Sequence, residues 1–167
     1  MTSPTSIDGD FSVCFSILGE YCCLTGNSQA LETYRERAID LTQEARDIYD
    51  RMNDLRKGDD LIPEELPKEL HAQLLDYLQR VDEGQIDRVY LVRKVITPED
   101  FTSAVIIRFR EDAKPEDCER VMDRVFHFLD TCSDWQFSLF EYGTVARAQP
   151  EKVENSCIYI HRGEENA

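Results

Sequence analysis

The most constraining feature of this sequence is a regular apolar stripe that runs for about four heptads after Ser28. Apolar residues recur at alternating spacings of three and four, while most positions between them are charged. The stripe consists of two series with a period of seven: Leu31, Ala38, Ala45 and Met52, and Tyr34, Leu41, Ile48 and Leu55. This period predicts one long amphipathic helix, capped at its start by Ser28 and terminated by Gly58.

The narrow stripe allows two interpretations. Because Ala38 and Ala45 are small, another helix can approach this face closely. The stripe either packs within its own domain, or it is a seam for dimerisation or for binding a partner protein. The second interpretation includes a homodimer formed through residues 28–56. The sequence leaves both open.

The segment before the helix has the alternation of a β-strand. Phe11, Val13, Phe15 and Ile17 share one face, and a second apolar run follows at residues 21–24. This pattern predicts a hairpin. We therefore expect residues 1–57 to form an N-terminal hairpin and a long helix within the same globule as the rest of the chain.

The second half of the chain predicts a core domain over residues 66–162 with the order αββαββ. Amphipathic stripes predict helices from Pro67 or Lys68 to Val81 and from Lys114 to Leu129. Alternating apolar residues predict strands at residues 86–96, 103–110, 135–140 and 157–160. The predicted fold class is α+β: an antiparallel sheet with helices packed on it, plus a long amphipathic N-terminal helix.

Three segments of this core carry a resemblance to a known family. They are the helix at residues 69–78, the strand at residues 86–91 and the terminal run Cys157-Ile158-Tyr159-Ile160-His161-Arg162. Through them, residues 66–162 resemble the C-terminal domain of the enhanced-serine-sensitivity protein family. The resemblance implies a small cytoplasmic accessory protein and supplies no catalytic residues. Residues 10–56 have no counterpart in it.

The charge balance restricts the kinds of partner. The chain has 34 acidic and 19 basic residues, which gives a net charge of −15. This excess argues against binding to nucleic acid and to anionic membrane surfaces, because both need clustered Lys and Arg. It permits a protein partner with a basic surface, or it simply gives high solubility. No apolar run approaches the length of a membrane span, and Met1 to Ser6 lacks the pattern of a signal peptide.

The six cysteines predict a reducing compartment. They are scattered within apolar runs and form no CxxC pair, so they fit neither a zinc site nor a disulfide framework. We expect them to behave as small buried hydrophobic residues in a cytoplasmic protein. The adjacent pair Cys22-Cys23 is the one unusual feature, and its sequence context leaves a redox role open.

The chain carries no recognisable catalytic motif. HExxH, GxSxG, the P-loop and GxGxxG are all missing, and the three histidines fall on three different predicted elements. Acidic pairs such as Asp59-Asp60 and Glu64-Glu65 lie in predicted loops, where solvation and helix capping explain them. We therefore predict no catalytic residue, no metal site and no cofactor.

Aromatic residues mark the candidate binding surface. Four of them lie within eight residues: Trp135, Phe137, Phe140 and Tyr142. Alternation places Trp135 and Phe137 on one face of a strand and Phe140 and Tyr142 on the other. Either both faces are covered, or one of them binds a ligand or partner. The candidate interaction residues are Trp135, Phe140, Tyr142, Tyr90, His71 and His161.

These observations favour a non-enzymatic protein-interaction or accessory module. A family-like accessory protein, an acidic immunity-type inhibitor and a secretion-chaperone-like dimer all fit this description. The alternative is an enzyme or small-ligand binder whose pocket is assembled from dispersed residues: Tyr90, His71, His161 and Trp135. That alternative requires these four side chains to converge on one cavity.

Overall fold

A computed structural model describes residues 17, 19–21, 24–26, 28–56, 58–132, 134–142 and 149–161. The chain divides into two compact units, residues 1–49 and residues 50–167. The second unit therefore begins earlier than the predicted core domain, and Met52 and Leu55 are buried residues of it.

The first unit contains most of the predicted long helix. Helix α1 spans Ser28–Met52, so it begins where the heptad period predicts but ends before Leu55 and Gly58, and its last turn belongs to the second unit. Residues 11–16 of the predicted hairpin, and with them Cys14, lie outside the described residues, as do Cys22 and Cys23. At residues 19–21 and 24–25 the backbone is helical. The two described residues of the second apolar run, Tyr21 and Leu24, are therefore helical, contrary to the predicted strand.

The second unit confirms the α+β class. Its elements in chain order are β1 (Asp60–Pro63), α2 (Lys68–Val81), β2 (Ile86–Val95), β3 (Phe101–Phe109), α3 (Pro115–Thr131), β4 (Phe137–Glu141), a 3-10 turn (Pro150–Lys152) and β5 (Cys157–Ile160). Both helices of this unit match the amphipathic stripes of the sequence. Strand β1 lies between the two segments that the sequence predicts, residues 1–57 and 66–162, where no strand was expected.

The described strands form one sheet, which is mostly antiparallel. Strands β2 and β3 pair antiparallel over nearly their whole length, as predicted. On the other edge of β2, β1 pairs with its second half and β5 with its first half, both antiparallel. Strand β4 pairs with β3 in parallel, because helix α3 carries the chain back to the starting end of β3.

Both faces of this sheet are apolar and covered. On one face the core joins α2 and α3 to the sheet through Leu74, Leu78, Val89, Val105 and Val125, each fully buried or nearly so. On the opposite face a smaller cluster contains Leu55, Tyr90, Val92, Ala104 and Ile106. The aromatic residues of β4 are divided between the two cores, so the covered alternative holds for this strand.

Candidate functional site

The heptad stripe on α1 is an apolar surface with no buried residue among the side chains that the structure describes there. We call Tyr34, Ala38, Leu41, Ala45 and Ile48 the α1 stripe. Among the described side chains of residues 29–50 none is buried, and those of the stripe are exposed or only partly shielded. In the second unit, by contrast, each of the two long helices buries three of its apolar residues. The α1 stripe therefore has the period of a packing surface, although none of its members is buried.

The structure brings three sequence candidates together. Tyr90 and Tyr142 lie with their ring centroids 6.1 Å apart, and Phe140 packs into the same small core as both. Tyr90 is almost fully buried, whereas Phe140 and Tyr142 are partly exposed. The guanidinium of Arg108 lies 5.4 Å from the centre of the Tyr142 ring. This cluster is mainly a packing unit, and Tyr142 is its solvent-facing edge.

Tyr142 also lines a groove of about 530 Å³. The groove lies where the parallel strands β3 and β4 end and α3 begins, between Arg108, Arg110, Cys118 and Glu141. Its cations already have acidic partners, since Arg108 lies 3.2 Å from Asp87 and Arg110 lies 3.1 Å from Asp112. The groove is therefore a concave surface whose positive charges are already paired with carboxylates of the same chain.

Among the described residues that line the groove, none is an activated nucleophile. Burial, together with the nearby carboxylates of Glu141 and Asp117, raises the pKa of the Cys118 thiol. Burial and the Glu151 carboxylate likewise raise the pKa of the Tyr142 hydroxyl. Both groups therefore stay protonated at neutral pH, and a protonated thiol is a poor nucleophile. Covalent catalysis at this position is disfavoured.

A second cluster is centred on Asp82, at the end of α2. Its side chain is 1% exposed and accepts four hydrogen bonds or close polar contacts. Tyr159 donates its hydroxyl at 2.8 Å, His161 Nδ1 lies at 2.7 Å, and the amides of Gly84 and Ile86 lie at 2.9 and 3.1 Å. Asp82 thus joins the α2–β2 turn to the last described strand.

The pKa shifts in this cluster result from burial and from the hydrogen bonds within it. Burial by itself would raise the pKa of Asp82, but the contacts with His161, Tyr159 and the two amides outweigh it and lower the pKa below the ordinary value of 3.8. Burial and the adjacent carboxylate raise the pKa of Tyr159. The acid therefore stays ionised and the phenol neutral, so each group matches its hydrogen-bonding role.

A third cluster surrounds Trp135. Its indole nitrogen donates to the hydroxyl of Ser103 at 2.7 Å, and that hydroxyl donates to Glu64 at 2.6 Å. The Glu64 carboxylate also accepts hydrogen bonds from the guanidinium of Arg93, the shortest at 2.7 Å, and its side chain is fully buried. Arg93 lies over the ring of Phe101, 4.4 Å from its centre. The solvated-loop interpretation of Glu64 is therefore wrong.

The four residues proposed for a composite pocket do not converge. Tyr90 lies on one face of the sheet. Ser103, the hydrogen-bond partner of Trp135, lies on the opposite face, at the positions of β3 that carry the core residues there. Ser103 pairs with Arg93 of β2, whereas His161 binds β2 at Asp87, about 20 Å along the strand. His71 lies on α2, and its Nε2 is buried without a hydrogen-bond partner among the described residues.

Sequence reasoning missed the three buried charges that organise these clusters: Glu64, Asp82 and Lys94. Of the three, only Lys94 could have been found from the sequence, because it lies on the same face of β2 as the apolar residues Tyr90 and Val92. Of the cysteines that the structure describes, Cys118 and Cys132 are partly buried, but Cys157 is exposed, contrary to expectation. Burial raises the pKa of the Cys132 thiol as well.

Among the described residues, no group of three or more His, Cys, Asp or Glu side chains is arranged to hold a metal ion. No helix in this part of the chain combines the length and apolarity that crossing a bilayer requires.

Comparisons with protein-family models, curated proteins and solved structures gave no match to this chain. The resemblance of residues 66–162 to the enhanced-serine-sensitivity family therefore stays a prediction from the sequence.

Proposed function

We propose that this protein is a non-enzymatic protein-interaction module of the cytoplasm, and that it binds its partner through the α1 stripe. The observation that carries the proposal is the contrast in burial. Both faces of the sheet are covered by the chain itself, while the α1 stripe keeps a helix-packing period with no buried member. Apolar area left in water costs about 25 cal/mol per Å², which a docked partner would recover.

The polar clusters support a structural role for the second unit. Asp82 is held by internal hydrogen bonds, and Glu64 and Lys94 by internal ion pairs. Charged groups satisfied in this way have little capacity left to bind or activate a substrate. The absence of a recognisable catalytic motif in the sequence points in the same direction.

The proposal covers the three kinds of module that the sequence allows. An accessory protein of the enhanced-serine-sensitivity type, an immunity-type inhibitor and a secretion-chaperone-like dimer would each need one uncovered apolar surface. The α1 stripe supplies such a surface on a helix of 25 residues, which is about 38 Å long.

The test is to isolate the tagged full chain from the cells in which it occurs and to weigh its complexes by native mass spectrometry. We expect a stoichiometric complex that the double substitution Leu41→Glu, Ile48→Glu abolishes. The matched control is the double substitution Ile39→Glu, Gln43→Glu, which adds the same two charges at exposed positions of α1 outside the stripe. A chain that is always alone, or a complex indifferent to the double substitution, would overturn the proposal.

A further inference from the structure

Resting on this proposed function, we propose that the occupant of the α1 stripe is the same stripe of a second copy of this chain, running antiparallel. In this arrangement Leu41 lies opposite Ala38 of the second copy, and Tyr34 lies opposite Ala45 of the second copy. The pairing commits the surface to one partner and to one register.

The sizes of the stripe residues favour this arrangement. Along α1 the stripe alternates a large residue with a small one: Tyr34, Ala38, Leu41, Ala45 and Ile48. Two antiparallel helices in the register above place every described alanine of the stripe against a bulky side chain. Facing positions that alternate large and small residues fill space without voids or overlap.

A parallel pair would lack this fit. Equivalent residues face each other in a parallel pair, so Ala38 would meet Ala38 and Tyr34 would meet Tyr34 of the second copy. The alanine layers would then be underfilled and the tyrosine layer overfilled. Both faults cost stability.

The charges beside the stripe agree with the antiparallel direction. Arg37 and Glu44 are both exposed, and each directly precedes an alanine of the stripe, so they lie on the same flank of α1. When two helices run antiparallel, each flank of one helix lies next to the same flank of the other helix. Arg37 then lies beside Glu44 of the second copy, and symmetry repeats the pair. In the parallel direction Arg37 would face Thr42, which has no charge.

The charge of α1 as a whole does not oppose self-association. The helix has six acidic and four basic residues, a net charge of only −2 of the −15 that the chain carries. Most of the excess negative charge that could attract a partner with a basic surface therefore lies outside α1. The α1 stripe itself is close to neutral and complementary to itself.

The test uses purified full-length protein, with dimer formation followed by sedimentation velocity and native mass spectrometry. Arg37→Glu alone and Glu44→Arg alone each bring two like-charged pairs together, so each should weaken the homodimer about tenfold. Mixing the two single variants should restore a one-to-one heterodimer, because every facing pair is then complementary. The double variant Arg37→Glu, Glu44→Arg should dimerise like the wild type.

Two controls carry the same charge changes away from the stripe. Arg46→Glu and Glu36→Arg are exposed substitutions on α1, and both should leave dimerisation unchanged. A monomeric wild-type chain would overturn the second copy as occupant while leaving the proposed function to the isolation experiment above, including a basic partner as its outcome. A wild-type dimer that the single variants leave intact, or that their mixture fails to restore, would overturn the antiparallel register.

Discussion

The ammonium group of Lys94 lies 2.9 Å from the carboxylate of Asp59, with 2% and 13% of the two side chains exposed. The same ammonium donates hydrogen bonds to the carbonyl oxygens of Arg51 and Asp54. One buried cation on β2 therefore satisfies carbonyls at the last turn of α1 and just beyond it, where a helix leaves its acceptors free. This is the main polar link between residues 51–59 and the sheet.

Replacing Lys94 should destabilise the second unit strongly. Lys94→Met keeps most of the side-chain volume but leaves the Asp59 carboxylate and two carbonyls without their partner. Loss of one member of a buried ion pair costs about 3 kcal/mol or more. Urea unfolding followed by circular dichroism would measure the loss. Lys152→Met, at an exposed lysine, is the matched control and should change the free energy of unfolding by less than about 0.5 kcal/mol.

Replacing Glu64 should disturb the Trp135 cluster. Glu64→Gln retains the shape but removes the charge that holds Arg93, and we expect a loss of about 2 kcal/mol. Trp135 is the only tryptophan of the chain, so its fluorescence reports on this cluster directly. We expect a change in emission for Glu64→Gln and none for Glu65→Gln, whose side chain is exposed. Equal behaviour of the two variants would show that Glu64 is not a structural centre.

The Asp82 cluster should make stability dependent on pH in the acid range. Because the pKa of Asp82 is lowered in the folded state, the unfolded chain takes up the proton first as the pH falls. The contribution of Asp82 is therefore fully present above about pH 4 and is lost as the pH falls through the folded-state pKa. Asp82→Asn should be less stable than the wild type at pH 7, and the difference should shrink at pH 3.

Urea unfolding at the two pH values measures this difference. The matched control is Asp76→Asn, since Asp76 is an exposed acid on the same helix and its pair with Arg80 is solvent-exposed. The control should stay close to the wild type at both pH values. If Asp82→Asn lost the same stability at pH 3 as at pH 7, the ionised Asp82 would not be the source of the stabilisation.

The sequence predicted those elements whose signal is local. The apolar periods of α2 and α3 reflect burial on one face of each helix, whereas the equally regular period of α1 falls on a stripe with no buried member. The strands β2 and β3 were predicted because successive side chains of a strand point to opposite faces. Alternation identifies faces but carries no information on direction, so the parallel pairing of β4 could not be read from it. Strand β1 was missed because it is short, polar at Asp60 and ends at Pro63, which only an edge strand tolerates.

The candidate residues show which contacts a local sequence pattern can predict and which it cannot. Grouping Phe140 with Tyr142 succeeded because two residues on one strand face are neighbours by geometry. Asp82 terminates α2 as the sequence suggested, but its contact with His161 joins positions 79 residues apart. Contacts of that kind depend on the strand order of the sheet, which one sequence does not specify. The exposure of the α1 stripe likewise depends on the tertiary structure and could not be predicted from the sequence.

The most direct test of the account is the sedimentation of the purified wild-type chain as a function of concentration, beside the variant Leu41→Glu, Ile48→Glu. The account predicts a wild-type species of twice the chain mass that dissociates on dilution, and a variant that stays at 19.4 kDa throughout. Since both substituted side chains are only partly shielded on α1, the variant should keep its fold, which circular dichroism checks. A wild-type chain that sediments at 19.4 kDa at every concentration, or a dimer of equal strength in the variant, would contradict pairing through the α1 stripe.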